Sequence, residues 1–199
     1  MLLILLAGCG AETPLPSLSG IKGTDITHAR EFGHSGQSGE RRLALNDHNG
    51  RAITLETFKG KLVVLFFGYT HCPDVCPTTL SDMAAALKLM QPDSVAKVQV
   101  LFATVDPARD TPEILKAYVP YFHPDFLGLH GSPEQVAQAA NEFKIVYHKQ
   151  VEAGASDYLI DHSAGSYVLD RQGRLRLYLP FATSPADIAN DLQVLLKTA

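Results

Sequence analysis

Apolar and polar positions come in blocks along this chain, and the rhythm of each block says what it becomes. Leu62-Val63-Val64-Leu65-Phe66-Phe67 is an unbroken apolar run, too short for a helix and rich in strand-forming side chains, so residues 61–67 are predicted as a strand buried on both faces. Downstream, Leu80, Met83, Ala84, Leu87 and Met90 recur at helical spacing and predict a helix over 76–90, with its methionines in the core. A further strand is predicted over 97–105, another near 125–130 and a short one at Ile145-Val146-Tyr147. Helices open at Thr111-Pro112-Glu113, Ser132-Pro133-Glu134-Gln135 and Ser184-Pro185-Ala186-Asp187, where a hydroxyl can cap the helix and proline fits its first turn. Residues 152–160 read as a loop, and 166–170 with 174–179 as a hairpin about Arg171-Gln172-Gly173. Leu43-Ala44-Leu45 and Ala52-Ile53-Thr54-Leu55 flank Asp47-His48-Asn49-Gly50, whose Asn-Gly step predicts an N-terminal β-hairpin and makes His48 a solvated turn residue.

Strands alternating with helices of this length predict an α/β fold: a central mixed sheet flanked by helices, for which a thioredoxin-like arrangement is the natural candidate. That domain is assigned to residues 39–199. Residues 10–38, with Pro14, Pro16 and several Ser and Gly, are expected to be a flexible tether without a fixed fold. Residues 1–9 end in Leu6-Ala7-Gly8-Cys9 after a short apolar run and resemble a bacterial lipoprotein signal, in which Cys9 would carry the lipid. No basic residue precedes the run, and it is at the lower limit for a secretory core, so the natural start is expected upstream. The resulting expectation is a lipid-anchored, membrane-attached protein on the periplasmic side of a bacterial cell membrane.

Composition narrows the function. A chain of 199 residues that is 46% hydrophobic can build one well-buried core. A net charge of -4 without a dense Lys/Arg cluster argues against nucleic acid as a partner. No run of 18 apolar residues is present to span a membrane. With Cys9 assigned to the anchor, the 3 cysteines leave one pair for chemistry.

That pair is Cys72 and Cys76, in the segment Gly68-Tyr69-Thr70-His71-Cys72-Pro73-Asp74-Val75-Cys76-Pro77 directly after the buried strand. Residues four apart share a helix face, so both thiols can converge on one ion, and the same spacing permits a disulfide. Backbone N–H groups at a helix start favour the thiolate, which helps Cys72 in particular to bind metal or to attack a disulfide. Prolines and polar neighbours set the pair apart from inert core cysteines. The candidate third group is His162, in Asp161-His162-Ser163 before the strand of 166–170. Alone it is an ordinary loop histidine; facing the thiols it would complete a three-coordinate site in which sulfur favours Cu(I) and the nitrogen makes Cu(II) acceptable. Zinc also tolerates such a set.

Three ordered segments carry a resemblance that covers residues from about 40 to the C-terminus: Gly68 to Pro77 as quoted, Thr104-Val105-Asp106-Pro107-Ala108-Arg109-Asp110-Thr111-Pro112, and Tyr158-Leu159-Ile160-Asp161-His162-Ser163. The chain closely resembles the Sco/SenC copper chaperones. That resemblance implies a thioredoxin-like fold, copper ligands Cys72, Cys76 and His162, and a role in assembling the binuclear copper centre of cytochrome c oxidase. The copper-site subunit of the oxidase is then the partner, with a periplasmic copper donor or thiol reductase upstream. Members of the family often have a transmembrane helix where this chain has its lipoprotein-like signal. His71 and Asp74 match family positions and are expected to orient the loop and tune its charge from behind the ligands. Asp106, Arg109 and Asp110 are read as a loop ion-pair and capping arrangement, and His123, His130 and His148 as structural or exposed. The alternative function is a thiol-disulfide oxidoreductase that reduces the cysteines of the oxidase centre, with a redox-active Cys72–Cys76 pair. Against it stand the absence of Cys-x-x-Cys and of any proline between residues 151 and 179, where thioredoxins place the proline facing their thiols.

Overall fold

The computed structural model describes residues 17–27, 42–151 and 157–198. In chain order its strands are β1 (Thr24–Asp25), β2 (Leu45–Asp47), β3 (Ala52–Ile53), β4 (Leu62–Gly68), β5 (Val98–Thr104), β6 (Leu127–His130), β7 (Tyr147–Gln150), β8 (Leu159–His162), β9 (Ser166–Leu169) and β10 (Leu175–Leu179). The helices are α1 (Val75–Lys88), α2 (Pro92–Val95), α3 (Pro112–Phe122), α4 (Pro133–Glu142) and α5 (Pro185–Thr198). Eight strands form one mixed sheet in the order β1-β10-β9-β4-β5-β6-β2-β3, and β7 pairs with β8 apart from it.

Every residue of β4 and β5 is buried. Successive strand residues point to opposite faces, so this means that helices cover the sheet on both sides. β4 and β5 run parallel in register from Leu62 with Val98 to Gly68 with Thr104, which carries both strands to the same edge of the sheet. α1 packs on α5 and α3, α5 reaches β4, and α3 lies against β6. Thr111 caps α3 by accepting from the Ile114 amide, and Ser132 with Gln135 forms a reciprocal cap on α4, as their sequences predict. Met83 and Met90 are buried core residues.

Three expectations are corrected. His48 is not solvated: β2 pairs with β6, so the turn abuts the sheet, where His48 Nδ1 accepts from the Gly128 amide at 3.0 Å. Burial pushes the imidazole below its ordinary pKa. The strand expected at 145–147 starts at Tyr147, and the tail of the expected 152–160 loop belongs to β8, because Tyr147 to Gln150 find partners in Leu159 to His162. Part of the expected tether is folded: β1 pairs with β10, Ile26 is fully buried, and Arg176 Nε donates to Thr27 Oγ1 at 3.0 Å. Asp191 of α5 accepts from the Lys22 and Gly23 amides at 2.8 and 2.6 Å, fastening the segment at a second point. The remaining tether residues, and Cys9 with its signal, lie outside the described residues. Among the described residues no helix is long and apolar enough to cross a membrane.

Candidate metal centre

β4 delivers the chain to Gly68, a loop carries Tyr69 to Asp74, and α1 starts at Val75. Cys76 therefore lies in the first turn of α1, fully buried, whereas Cys72 precedes the helix and is half-buried. The two thiols do not share a helix face as the spacing suggested. They meet because the loop folds Cys72 over the helix start, where the Cys76 amide points at its sulfur, N to Sγ 3.4 Å. Gly68 makes room from below: a Cβ there would lie 2.7 Å from Cys76 Sγ and 2.8 Å from the Phe102 ring. Its backbone is ordinary extended strand, so what the position requires is space and not an unusual conformation.

The third group arrives from the other sheet. His162 ends β8, and its Nε2 lies 3.4 Å from Cys76 Sγ. Nδ1 sits 3.0 Å from the Ser163 carbonyl, so Nδ1–H donates there and Nε2 keeps its lone pair for the thiols. Phe66 and Tyr69 hold the ring edge-on, with centroids 6.0 and 5.9 Å away. Cys72, Cys76 and His162 thus place one ligand atom each within 4.8 Å of one another, and no second such group occurs among the described residues. Two sulfurs and one imidazole nitrogen with a free lone pair are a donor set suited to a thiophilic ion.

The thiols are electrostatically unequal. Cys72 is held down at about 5, first by the hydrogen bond from the Cys76 thiol and then by the Asp74 and Cys76 amides, against the opposing effect of burial. Cys76 is pushed up, first by that same hydrogen bond to Cys72 and then by its burial. The opposite shifts favour one thiolate beside one thiol, Cys72 being the group that ionises first.

His71 and Asp74 are exposed and outside the donor group. His71 Nδ1 contacts Thr70 Oγ1 at 3.2 Å, and Asp74 stands at the N-cap of α1, its carboxylate accepting from Thr78 Oγ1 at 3.3 Å. Asp110 does not cap a helix. It accepts from the amide and hydroxyl of Thr70 and from Thr104 Oγ1, tying the cysteine loop to the end of β5, and burial raises its pKa despite these bonds. The Arg109–Asp106 ion pair is present as expected. Sequence reasoning gave no role to Tyr69 or Tyr158, although both lie inside the motifs quoted. The Tyr69 hydroxyl accepts from the Ile160 amide at 3.1 Å and the Tyr158 hydroxyl donates to Asp106 at 2.7 Å. His123 and His130 are half-buried and His148 is exposed, in line with the reading of them as structural or surface residues.

Comparison with known proteins places these features in company. The sequence pattern that defines the SCO1/SenC family matches residues 34–197. The mitochondrial SCO2 homologue of Bos taurus is 37% identical over 156 residues, covering 78% of this chain and 59% of that protein, so the chain spans about three fifths of that relative's length. The SCO2-like protein of Rickettsia felis is 36% identical over 151 residues, which cover 75% of this chain and 73% of that one. The structure of Bradyrhizobium japonicum ScoI with copper bound is similar at a TM-score of 0.71 and 39% identity, over 77% of this chain and 97% of that chain.

Proposed function

Because the chain belongs to the SCO1/SenC family and shares its thioredoxin-like fold, we propose that it is a copper metallochaperone, holding one ion on Cys72, Cys76 and His162 and delivering it to the binuclear copper centre of cytochrome c oxidase. The observation that carries this reading is the convergence of the three donor atoms within 4.8 Å, contributed by segments 86 residues apart. Copper is cargo here. A three-donor site on a half-exposed edge lets an incoming thiolate of the partner join the ion before a resident sulfur leaves, whereas a closed four-donor site would retain it. Half-buried Cys72 meets that incoming group, and buried Cys76 holds on longest. Asp74 and His71 orient the loop from outside the donor set, Asp74 through the amide that points at Cys72. Cys9 carries the lipid that keeps the domain at the periplasmic membrane surface.

A second reading has its own support. A thiol held down at about 5 beside a protonated partner is the arrangement of an attacking and a resolving cysteine, so the pair can also reduce the disulfide of a target copper site. Copper titration of the reduced protein, with X-ray absorption on the sulfur and nitrogen shells, tests ion and ligands together. In His162→Ala, Cu(II) binding is expected to weaken far more than Cu(I) binding, because two thiolates still satisfy the softer ion. Equal losses for both oxidation states contradict the ligand set. Oxidase assembly that survives in His162→Ala favours the reductase.

A further inference from the structure

The sheet that carries His162 shares no ladder with the large sheet, although Ile160 anchors it in the core. β8 pairs with β7 and with no strand of the large sheet. An isolated two-stranded hairpin is at best marginally stable in water, so whatever seats it also determines whether the imidazole reaches the thiols. The seat is built around Asp106, just past the end of β5, whose side chain is 0% exposed. One of its oxygens takes the Arg109 Nε–H and the other the Tyr158 hydroxyl at 2.7 Å. Arg109 then closes the ring: it donates to the Tyr158 carbonyl at 2.9 Å, pairs with Asp157, and lays its guanidinium carbon 3.6 Å from the centre of the Tyr158 ring. Between this knot and His162 lie only Leu159, Ile160 and Asp161. Ile160 is 4% exposed and its amide is held by Tyr69, so a shift at Tyr158 is passed along the strand to the imidazole.

We propose that Arg109 and Tyr158 are positioning residues for His162, latching the β7–β8 hairpin to the end of β5 through Asp106 and so setting the fraction of molecules that offer copper its nitrogen donor. The inference rests on the ligand set proposed above. Apparent affinity scales with the competent fraction, so the latch tunes the ion that needs nitrogen and leaves the ion that two sulfurs satisfy. Arginine is required for its planar fork, which stacks on the ring while bonding a carboxylate and a carbonyl; lysine keeps the charge and loses the geometry.

The test uses the full chain, reduced, as wild type, Arg109→Lys and Tyr158→Phe. Amide hydrogen exchange is measured without metal at Ile160 and, as a control for global stability, at Leu65 in the buried strand β4. Cu(II) and Cu(I) affinities are then measured by chelator competition. In both variants the opened fraction read at Ile160 is expected to rise about tenfold, from about one molecule in ten to about nine in ten, with Leu65 unchanged, so that Cu(II) affinity falls about tenfold while Cu(I) affinity stays within about threefold. Wild-type exchange at Ile160 in both variants, or a rise shared equally by Leu65, overturns the latch. The ligand set fails separately: if His162→Ala binds Cu(II) as wild type does, the imidazole is not a donor, while Ile160 exchange in Arg109→Lys still reports whether the hairpin is latched.

Discussion

Gly68→Ala adds one methyl group where the structure leaves no room for it. The new Cβ would stand 2.7 Å from Cys76 Sγ, 2.8 Å from Phe102 and 3.1 Å from Phe66, where ordinary contact begins at 3.4 Å. If the sulfur yields, it must retreat by about 0.7 Å. The two rings cannot yield easily in its place, since both are fully buried. Overpacking of this kind costs roughly 1–3 kcal/mol, and the protein should remain folded because domains of this size hold about 5–15 kcal/mol. The metal site is less forgiving, since ligand distances must be right to within about 0.2 Å. Cu(I) affinity of the reduced protein is therefore expected to fall at least about tenfold, or ~1.4 kcal/mol, measured by competition with a Cu(I) chelator alongside urea denaturation. Gly173→Ala is the control: Gly173 has φ 79° with nothing within 4 Å of a new Cβ, so that variant carries backbone strain and keeps its copper. A Gly68→Ala protein that binds Cu(I) like wild type refutes the claim that this glycine sets the sulfur's position.

Two further outcomes follow from the thiols and from the N-terminal segment. In reduced, metal-free protein, alkylation of Cys72 is expected to rise through a midpoint near pH 5, well below the ordinary thiol value of 9.0, and Cys76 to stay unreactive far into the alkaline range. Because Cys72 is depressed in the folded state, its stabilising contribution is present at high pH and lost as pH falls through about 5; a first alkylation midpoint near 9 contradicts the hydrogen-bonded thiolate. Asp191→Ala removes the carboxylate that holds the Lys22 and Gly23 amides, and is expected to cost about 1–3 kcal/mol and to admit protease near residues 18–27. Unchanged denaturation and cleavage would mean that β1 is held without it.

The elements with strong local signals were legible from the chain. The apolar run before Gly68, the hydroxyl-proline helix starts and the Asn49-Gly50 turn each specify their structure within a few residues. Cys72, Cys76 and His162 were legible as candidates by residue type, and their convergence was not. What the sequence withheld was long-range. The helix expected over 76–90 already left Cys72 outside it, and Pro73 disfavours helix at that residue, but nothing local says that the loop brings the Cys72 sulfur back to the Cys76 amide. His48 carries the signature of a solvated turn, and only the pairing of β2 with β6 buries it. Leu159 to His162 is too short to announce itself as a strand, and residues 17–27 hide a few apolar anchors among turn formers. Asp110 illustrates the same limit, because a carboxylate just before a helix-opening Thr-Pro reads as a cap until Thr70 is seen, 40 residues away, to claim it.

Both borders of the large sheet are strands of two residues, β1 at one side and β3 at the other. A border that short gives a neighbouring molecule almost no ladder on which to lay a strand of its own. β1 is thus a selvedge for β10, whose five residues would otherwise form a longer and largely apolar rim. So short a hem leaves a second copy of the domain little to stitch itself to.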